Sequence, residues 1–313
     1  MLDLNTYIIT FNCGREPINT DFFAAHLFDG LKPRDVSPDI IVLCLQEVAP
    51  IAYSFLSASM MTRYTSRLET AVTTALKTDY GVAVAEDFRL LQTRNVGMTA
   101  VMLFARKDVQ IRLTRVDTAG VGVGLWEMGN KGAVGVRLWI EDEHAEDVVP
   151  FTFVAAHLAP MESAWERRNE DWRSICERLV FTSEATQQRR SSEDEPLLGK
   201  DDSEQSGSHE QGMFSPLNSL FFGGDLNYRT SDVKPQQDDH KTWAAPHTDD
   251  FASMLKQDQL TRERNAGKTL HLMDEADVTF PPSYKYSSQA QKQALELNPV
   301  VVRQDSLPVR CKA

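Results

Sequence analysis

The sequence predicts an α/β protein in which β-sheets are layered with amphipathic helices. Three observations carry that expectation. Short apolar, β-branched runs recur along the chain, and each ends in a single polar side chain; runs of this kind are strands buried on both faces. Two segments place apolar residues at helical spacing, Met61, Tyr64, Leu68, Val72 and Leu76 in one, and Trp165, Trp172, Ile175, Cys176 and Leu179 in the other. The chain has 313 residues with 42% apolar content, and a domain of that size buries roughly three quarters of the surface its unfolded chain exposes.

The first strand is the run 7–9, closed by Thr10-Phe11-Asn12. The second, 39–47, is nearly continuous in apolar residues and ends in Glu47. After the helix at 61–76 comes a glycine-rich stretch, 120–136, which fits neither nucleotide-loop spacing: Leu125 and Glu127 stand where G-x-G-x-x-G needs its third glycine, and Asn130 stands where the P-loop needs lysine. What remains is a glycine turn presenting Lys131, an anchor for an anionic group, or a glycine-rich hairpin with a solvated lysine. The run 151–158 delivers His157, and the helix after it leaves Arg167, Asn169 and Asp171 off the apolar stripe. From 183 to 216 the pattern collapses into polar residues, eight acidic and three basic; such a stretch buries too little to offset its ordering entropy and is expected to be disordered.

The richest segment follows. A short apolar strand at 220–222 leads into Gly223-Gly224-Asp225-Leu226-Asn227-Tyr228-Arg229, where two glycines allow a sharp turn and close approach to a ligand. Asp225 can accept a proton from water, and Asn227 offers an acceptor and two donors to a phosphate-like group. Further on, Pro281 and Pro282 stiffen the approach to Ser283-Tyr284-Lys285-Tyr286 and limit the freedom of Lys285. Four strands thus end in Asn12, Glu47, His157 and Asp225, and in a layered sheet protein such ends converge on one edge and share a cleft.

Net charge is −12, which argues against a general nucleic-acid surface, because non-specific binding depends on Lys and Arg neutralising phosphates. A local cluster of Lys131, Arg167, Arg168, Arg229 and Lys285 still permits a positive cleft for an anionic lipid. Neither a signal peptide nor an apolar run of transmembrane length is present. Cys13, Cys44, Cys176 and Cys311 form no C-x-x-C pair, so reduced thiols and no zinc site are expected. The expectation is a monomeric, cytoplasmic protein.

Taken in order, Phe11-Asn12, Gln46-Glu47, Gly129-Asn130-Lys131-Gly132, His157-Leu158-Ala159-Pro160, Arg168-Asn169-Glu170-Asp171-Trp172, Gly224-Asp225-Leu226-Asn227-Tyr228-Arg229 and Pro282-Ser283-Tyr284-Lys285-Tyr286 resemble the inositol polyphosphate 5-phosphatases of the endonuclease/exonuclease/phosphatase superfamily. The opening Thr10-Phe11-Asn12-Cys13-Gly14-Arg15-Glu16 is similar to a fungal subgroup that includes a yeast tail-anchored phosphatidylinositol 4,5-bisphosphate 5-phosphatase. The resemblance implies a four-layered, deoxyribonuclease-like α/β sandwich formed as one catalytic domain over 1–313, with 183–216 as an insertion and 287–313 as an irregular tail.

It also implies roles. Glu47 would ligate Mg²⁺ with Asn12 ordering the metal site, Asp225 would activate water, and Asn227 and His157 would stabilise phosphoryl oxygens. Lys131, Arg168, Asn169, Arg229, Tyr284 and Lys285 would hold the phosphates of a phosphoinositide headgroup, with the protein peripheral to a membrane and no nucleic acid bound. Phosphate-ester hydrolysis asks for charge neutralisation and an in-line water rather than covalent chemistry, which suits this set. Relatives continue into a Trp-Cys-Asp-Arg segment and a Ser-Asp-His; neither follows here, so the resemblance implies a fold incomplete at the C-terminus and weak turnover. Two alternatives stand beside a phosphoinositide 5-phosphatase: an inactive phosphoinositide-binding module and a same-fold nuclease of the abasic-site type.

Overall fold

In the computed structural model, the described residues are 3–31, 36–50, 52, 58–123, 131–142, 147–183, 212–215, 218–230 and 255–278. The chain forms two compact units, one of Met1–His157 with Ser174–Asp225, the other of Leu158–Arg173 with Leu226–Ala313.

The first unit holds two mixed sheets. In one, β1 (Thr6–Asn12) and β2 (Ile40–Gln46) run parallel, and β4 (Thr99–Arg106) joins β2 to β3 (Phe88–Val96) in antiparallel pairs, giving the order β1-β2-β4-β3. In the other, β5 (Leu113–Val123), β6 (Lys131–Asp142) and β7 (Asp147–His157) form antiparallel neighbours. The two-residue β8 (Thr182–Ser183) adds to β5, and β9 (Ser219–Asp225) runs parallel to β7, giving β8-β5-β6-β7-β9.

Every residue of β2 is buried, as its continuous apolar run requires, because the strand has a packed layer on each face. Toward the second sheet, Ile40, Val42 and Cys44 meet Val101, Leu103, Val134, Val136, Phe153 and Ala155 in one core cluster. Toward the helices, Ile41, Leu43 and Leu45 meet Leu68, Val72 and Leu76 of α2 (Ala58–Tyr80), with α1 (Thr20–His26) and α3 (Val82–Asp87) contributing Ala24 and Ala85. The stripe from Met61 to Leu76 is buried throughout. Each such aliphatic side chain contributes about 1.5–3 kcal/mol on burial. A short α4 (Lys107–Arg112) links β4 to β5.

Within the glycine-rich stretch, Gly120 and Gly122 lie in β5 and Gly132 and Gly135 in β6, with Val123 opposite Lys131, and residues 124–130 lie outside the described residues. The acidic stretch is also held at both ends. Ser183 pairs with Asp117 in the sheet, and buried Arg137 of β6 donates to Thr152 Oγ1 and to the Gly212 carbonyl, both at 2.8 Å, while Met213 is fully buried. Residues 184–211 and the tail 287–313 lie outside the described residues.

The second unit contains the start of α5 (Trp165–Arg178) and α6 (Gln259–Asn265), the latter capped by Asp258, whose carboxylate accepts from the Thr261 amide at 2.8 Å. Among the described residues no helix is long and apolar enough to cross a membrane.

Candidate active site

The strand directions bring the expected chemistry to one end of the first unit. β1 and β2 are parallel with Asn12 opposite Gln46, and β7 and β9 are parallel with His157 opposite Asp225. β6 is antiparallel to β7 and starts where β7 ends, with Gly132 opposite His157. Asn12, Glu47, Lys131, His157 and Asp225 therefore stand at strand ends that point the same way. Gly224 is what lets β9 lie this close, since a Cβ there would meet the Ala156 carbonyl oxygen at 2.0 Å.

The contacts form a chain. Lys131 Nζ is 2.5 Å from His157 Nε2, and Asp225 Oδ2 is 3.7 Å from the same nitrogen. Asp225 Oδ2 also accepts from Asn12 Nδ2 at 3.0 Å, and Asn12 Oδ1 accepts from the Gly14 amide at 3.0 Å. Lys131 is thus tied to His157 rather than held out on a loop. His157 and Asp225 are both buried, in an environment where charges act strongly.

Glu47 sits just past β2 with φ +48°, and Arg15 just past β1 with φ +69°. Arg15 donates its amide to the Glu47 carbonyl at 2.7 Å and its Nε to Glu47 Oε2 at 2.9 Å. Two non-glycine residues in left-handed conformations hold each other, the sort of strain that collects at functional sites. Arg15 did not figure among the expected site residues. The signal for it was the Gly14-Arg15 pair just beyond Asn12 and Cys13, but nothing local says that it faces Glu47. Burial, with the nearby Glu47 charge a smaller cause, pushes the Cys13 thiol up to about 12.

A carboxylate is the kind of ligand a hard divalent cation takes. Glu47 is a carboxylate with partial solvent access, and the neighbouring strand ends supply further oxygens from Asn12 and Asp225. Mg²⁺ keeps several waters and takes few protein ligands. Among the described residues no group of three or more His, Cys, Asp or Glu side chains forms a cage.

In the second unit, four of the expected residues are tied into the protein. Asn227, at φ +60°, donates to the Leu158 carbonyl at 2.9 Å and accepts from Arg229 Nη2 at 3.3 Å. Arg168 is fully buried over the Tyr228 ring and donates to the carbonyls of Ala159, Met161 and Glu162 and to Gln259 Oε1. Asn169 donates to Glu263 Oε2 and accepts from Tyr228, each at 2.7 Å. Asp171, expected away from the buried face with Asn169, is buried as well and accepts from the Ala159 amide; burial pushes its carboxyl up. Arg168 and Asn169 thus have protein partners in place of the headgroup contacts expected of them. These groups go inside because each meets a partner that satisfies it, which a helical apolar stripe does not reveal. Tyr284 and Lys285 lie outside the described residues.

Known proteins are similar to this chain in sequence and fold. The model of the Endonuclease/Exonuclease/phosphatase family 2 matches residues 9–296. A type II inositol polyphosphate 5-phosphatase of Arabidopsis thaliana is 29% identical over 205 residues, 64% of this chain and 17% of that protein. A probable inositol polyphosphate 5-phosphatase of Schizosaccharomyces pombe is 24% identical over 93% of this chain and 24% of its own length. The chain thus spans about a quarter or less of these curated relatives. Among solved structures, the inositol polyphosphate 5-phosphatase domain of SPsynaptojanin, in complex with inositol (1,4)-bisphosphate and calcium ion, superposes with TM-score 0.63 at 20% identity, covering 91% of this chain and 69% of that one. A Cimex nitrophorin ferrous NO complex superposes with TM-score 0.52 at 16% identity, covering 91% of this chain and 79% of that one; one fold carries unrelated chemistries, so the site must carry the argument. With two mixed sheets stacked under flanking helices, the fold is the deoxyribonuclease-like α/β sandwich, and the chain belongs to the endonuclease/exonuclease/phosphatase family 2.

Proposed function

We propose that this chain is a Mg²⁺-dependent phosphoinositide 5-phosphatase that removes the 5-phosphate of phosphatidylinositol 4,5-bisphosphate from the cytoplasmic face of a membrane. The observation that supports it best is the run of contacts Lys131–His157–Asp225–Asn12 beside Glu47. Asp225, steadied by the Asn12 amide, accepts the proton of the attacking water. His157 and the Lys131 ammonium beside it stabilise the charge that gathers on the phosphoryl oxygens. Glu47 would hold the Mg²⁺, which when bound neutralises charge on the phosphate. Arg168, Asn169, Asn227 and Arg229 are given no headgroup contact, because their side chains meet protein groups.

The test is phosphate release from vesicles containing phosphatidylinositol 4,5-bisphosphate and from soluble inositol trisphosphate, each with Mg²⁺ and with EDTA, and with Asp225→Asn as the blank. Release from the vesicles that needs both Mg²⁺ and Asp225 is the expected result. Binding to the vesicles without release would instead identify an inactive phosphoinositide-binding module. Incision of abasic DNA would identify a nuclease.

A further inference from the structure

Arg15 lies outside the roles given above, yet it makes the most direct contact to the side chain named for the cation. Its guanidinium Nε is 2.9 Å from Glu47 Oε2, with the Arg15 side chain half exposed and that of Glu47 mostly covered. The backbone bond from the Arg15 amide to the Glu47 carbonyl is separate from this ion pair and does not depend on the side chain. A hard dication seeks the same carboxylate, and a guanidinium and a dication on one carboxylate repel each other. The half-exposed side chain has room to leave, whereas Glu47 is held by its backbone.

We infer that Arg15 is a positioning residue that competes with the divalent cation for Glu47: it holds the carboxylate in place, and cation binding displaces its guanidinium into solvent at the rim of the site. This rests on the reading of Glu47 as the cation's ligand. The coupling is reciprocal, so whatever Arg15 costs the cation, the cation costs the ion pair. A displaced guanidinium, with its planar fork of donors, is suited to meet a phosphate ester, which would make loading of the cation and exposure of an anion-binding group a single event.

The experiment measures Mg²⁺ affinity by calorimetry for the wild type, Arg15→Gln and Glu47→Gln, together with the Arg15 Nε–H resonance, assigned by its loss in Arg15→Gln. Glutamine keeps the backbone bond and removes the guanidinium, with its charge and its donor to Glu47. Arg15→Gln is expected to bind Mg²⁺ about two- to fivefold more tightly, the scale of a half-exposed ion pair, and Mg²⁺ should shift the wild-type Arg15 resonance toward that of a solvent-exposed arginine. If Glu47→Gln abolishes Mg²⁺ binding while Arg15→Gln binds no more tightly and the Arg15 resonance stays put, the competition is refuted and the metal assignment stands. If Glu47→Gln binds Mg²⁺ as the wild type does, the metal assignment fails and the competition with it.

Discussion

Asn12 Nδ2 donates to Asp225 Oδ2 at 3.0 Å, a hydrogen bond between residues 213 positions apart that crosses from one sheet to the other. Both residues end edge-lying parallel strands, β1 and β9. The amide fixes the carboxylate that also faces His157. Asn12→Ala is therefore expected to lower kcat for phosphate release about tenfold with little change in KM, whereas Asp225→Asn should lower it by at least about a hundredfold, the low end for one acid/base group. Steady-state kinetics on both variants check the order.

Replacing Lys131 by methionine removes the ammonium from His157 while keeping the length of the side chain. Both kcat and substrate affinity should fall, because the charge serves the phosphate as well as the imidazole. A combined loss in kcat/KM of about tenfold to a hundredfold is expected, roughly 1.4–2.8 kcal/mol. An unchanged kcat/KM would mean that the contact is only structural.

Glu47→Ala should abolish stabilisation by Mg²⁺. For the wild type that stabilisation reaches about 2.7 kcal/mol at a hundredfold excess over Kd, readable as a rise in unfolding temperature. A variant that still responds to Mg²⁺ would take Glu47 out of the site.

Glu263 is buried between Asn169, Arg262 and Lys268. Burial alone would raise its pKa, but the hydrogen bonds from Arg262 and Asn169 outweigh that and hold the carboxyl below its ordinary 4.5. A folded-state value below the unfolded one gives stability that is present above about pH 4.5 and is lost as pH falls through the folded value. Glu263→Gln should therefore destabilise the protein by about 1–3 kcal/mol at neutral pH, and the gap to the wild type should narrow in acid. Urea unfolding at pH 7 and pH 4 measures both.

Gly224→Ala should disrupt the β7–β9 pairing. The added methyl meets the Ala156 carbonyl oxygen at 2.0 Å and the backbone sits at φ +146°, so either the strand moves or the pair separates. A cost of about 3 kcal/mol or more is expected. Because Asp225 is the next residue, activity should fall further than stability alone explains.

Much of this molecule was legible from local pattern. Continuous apolar runs gave buried strands at β2 and β7, and the spacing from Met61 to Leu76 gave the buried face of α2. A polar residue after each run marked Asn12, Glu47, His157 and Asp225. These follow from sequence because side-chain period and burial are local properties of a strand or helix. Tertiary structure decided what depends on distant partners. Gly120, Gly122, Gly132 and Gly135 lie in paired strands because each strand supplies the other's hydrogen bonds. Ser183 and Met213 are fixed because β5 and Arg137 reach them. Arg168 and Asn169 are inside because Gln259 and Glu263, 91 and 94 residues away, satisfy them. Arg15 meets Glu47 because two parallel strands end side by side. A polar side chain looks the same in sequence whether it faces water or a buried partner, and only the fold supplies the partner.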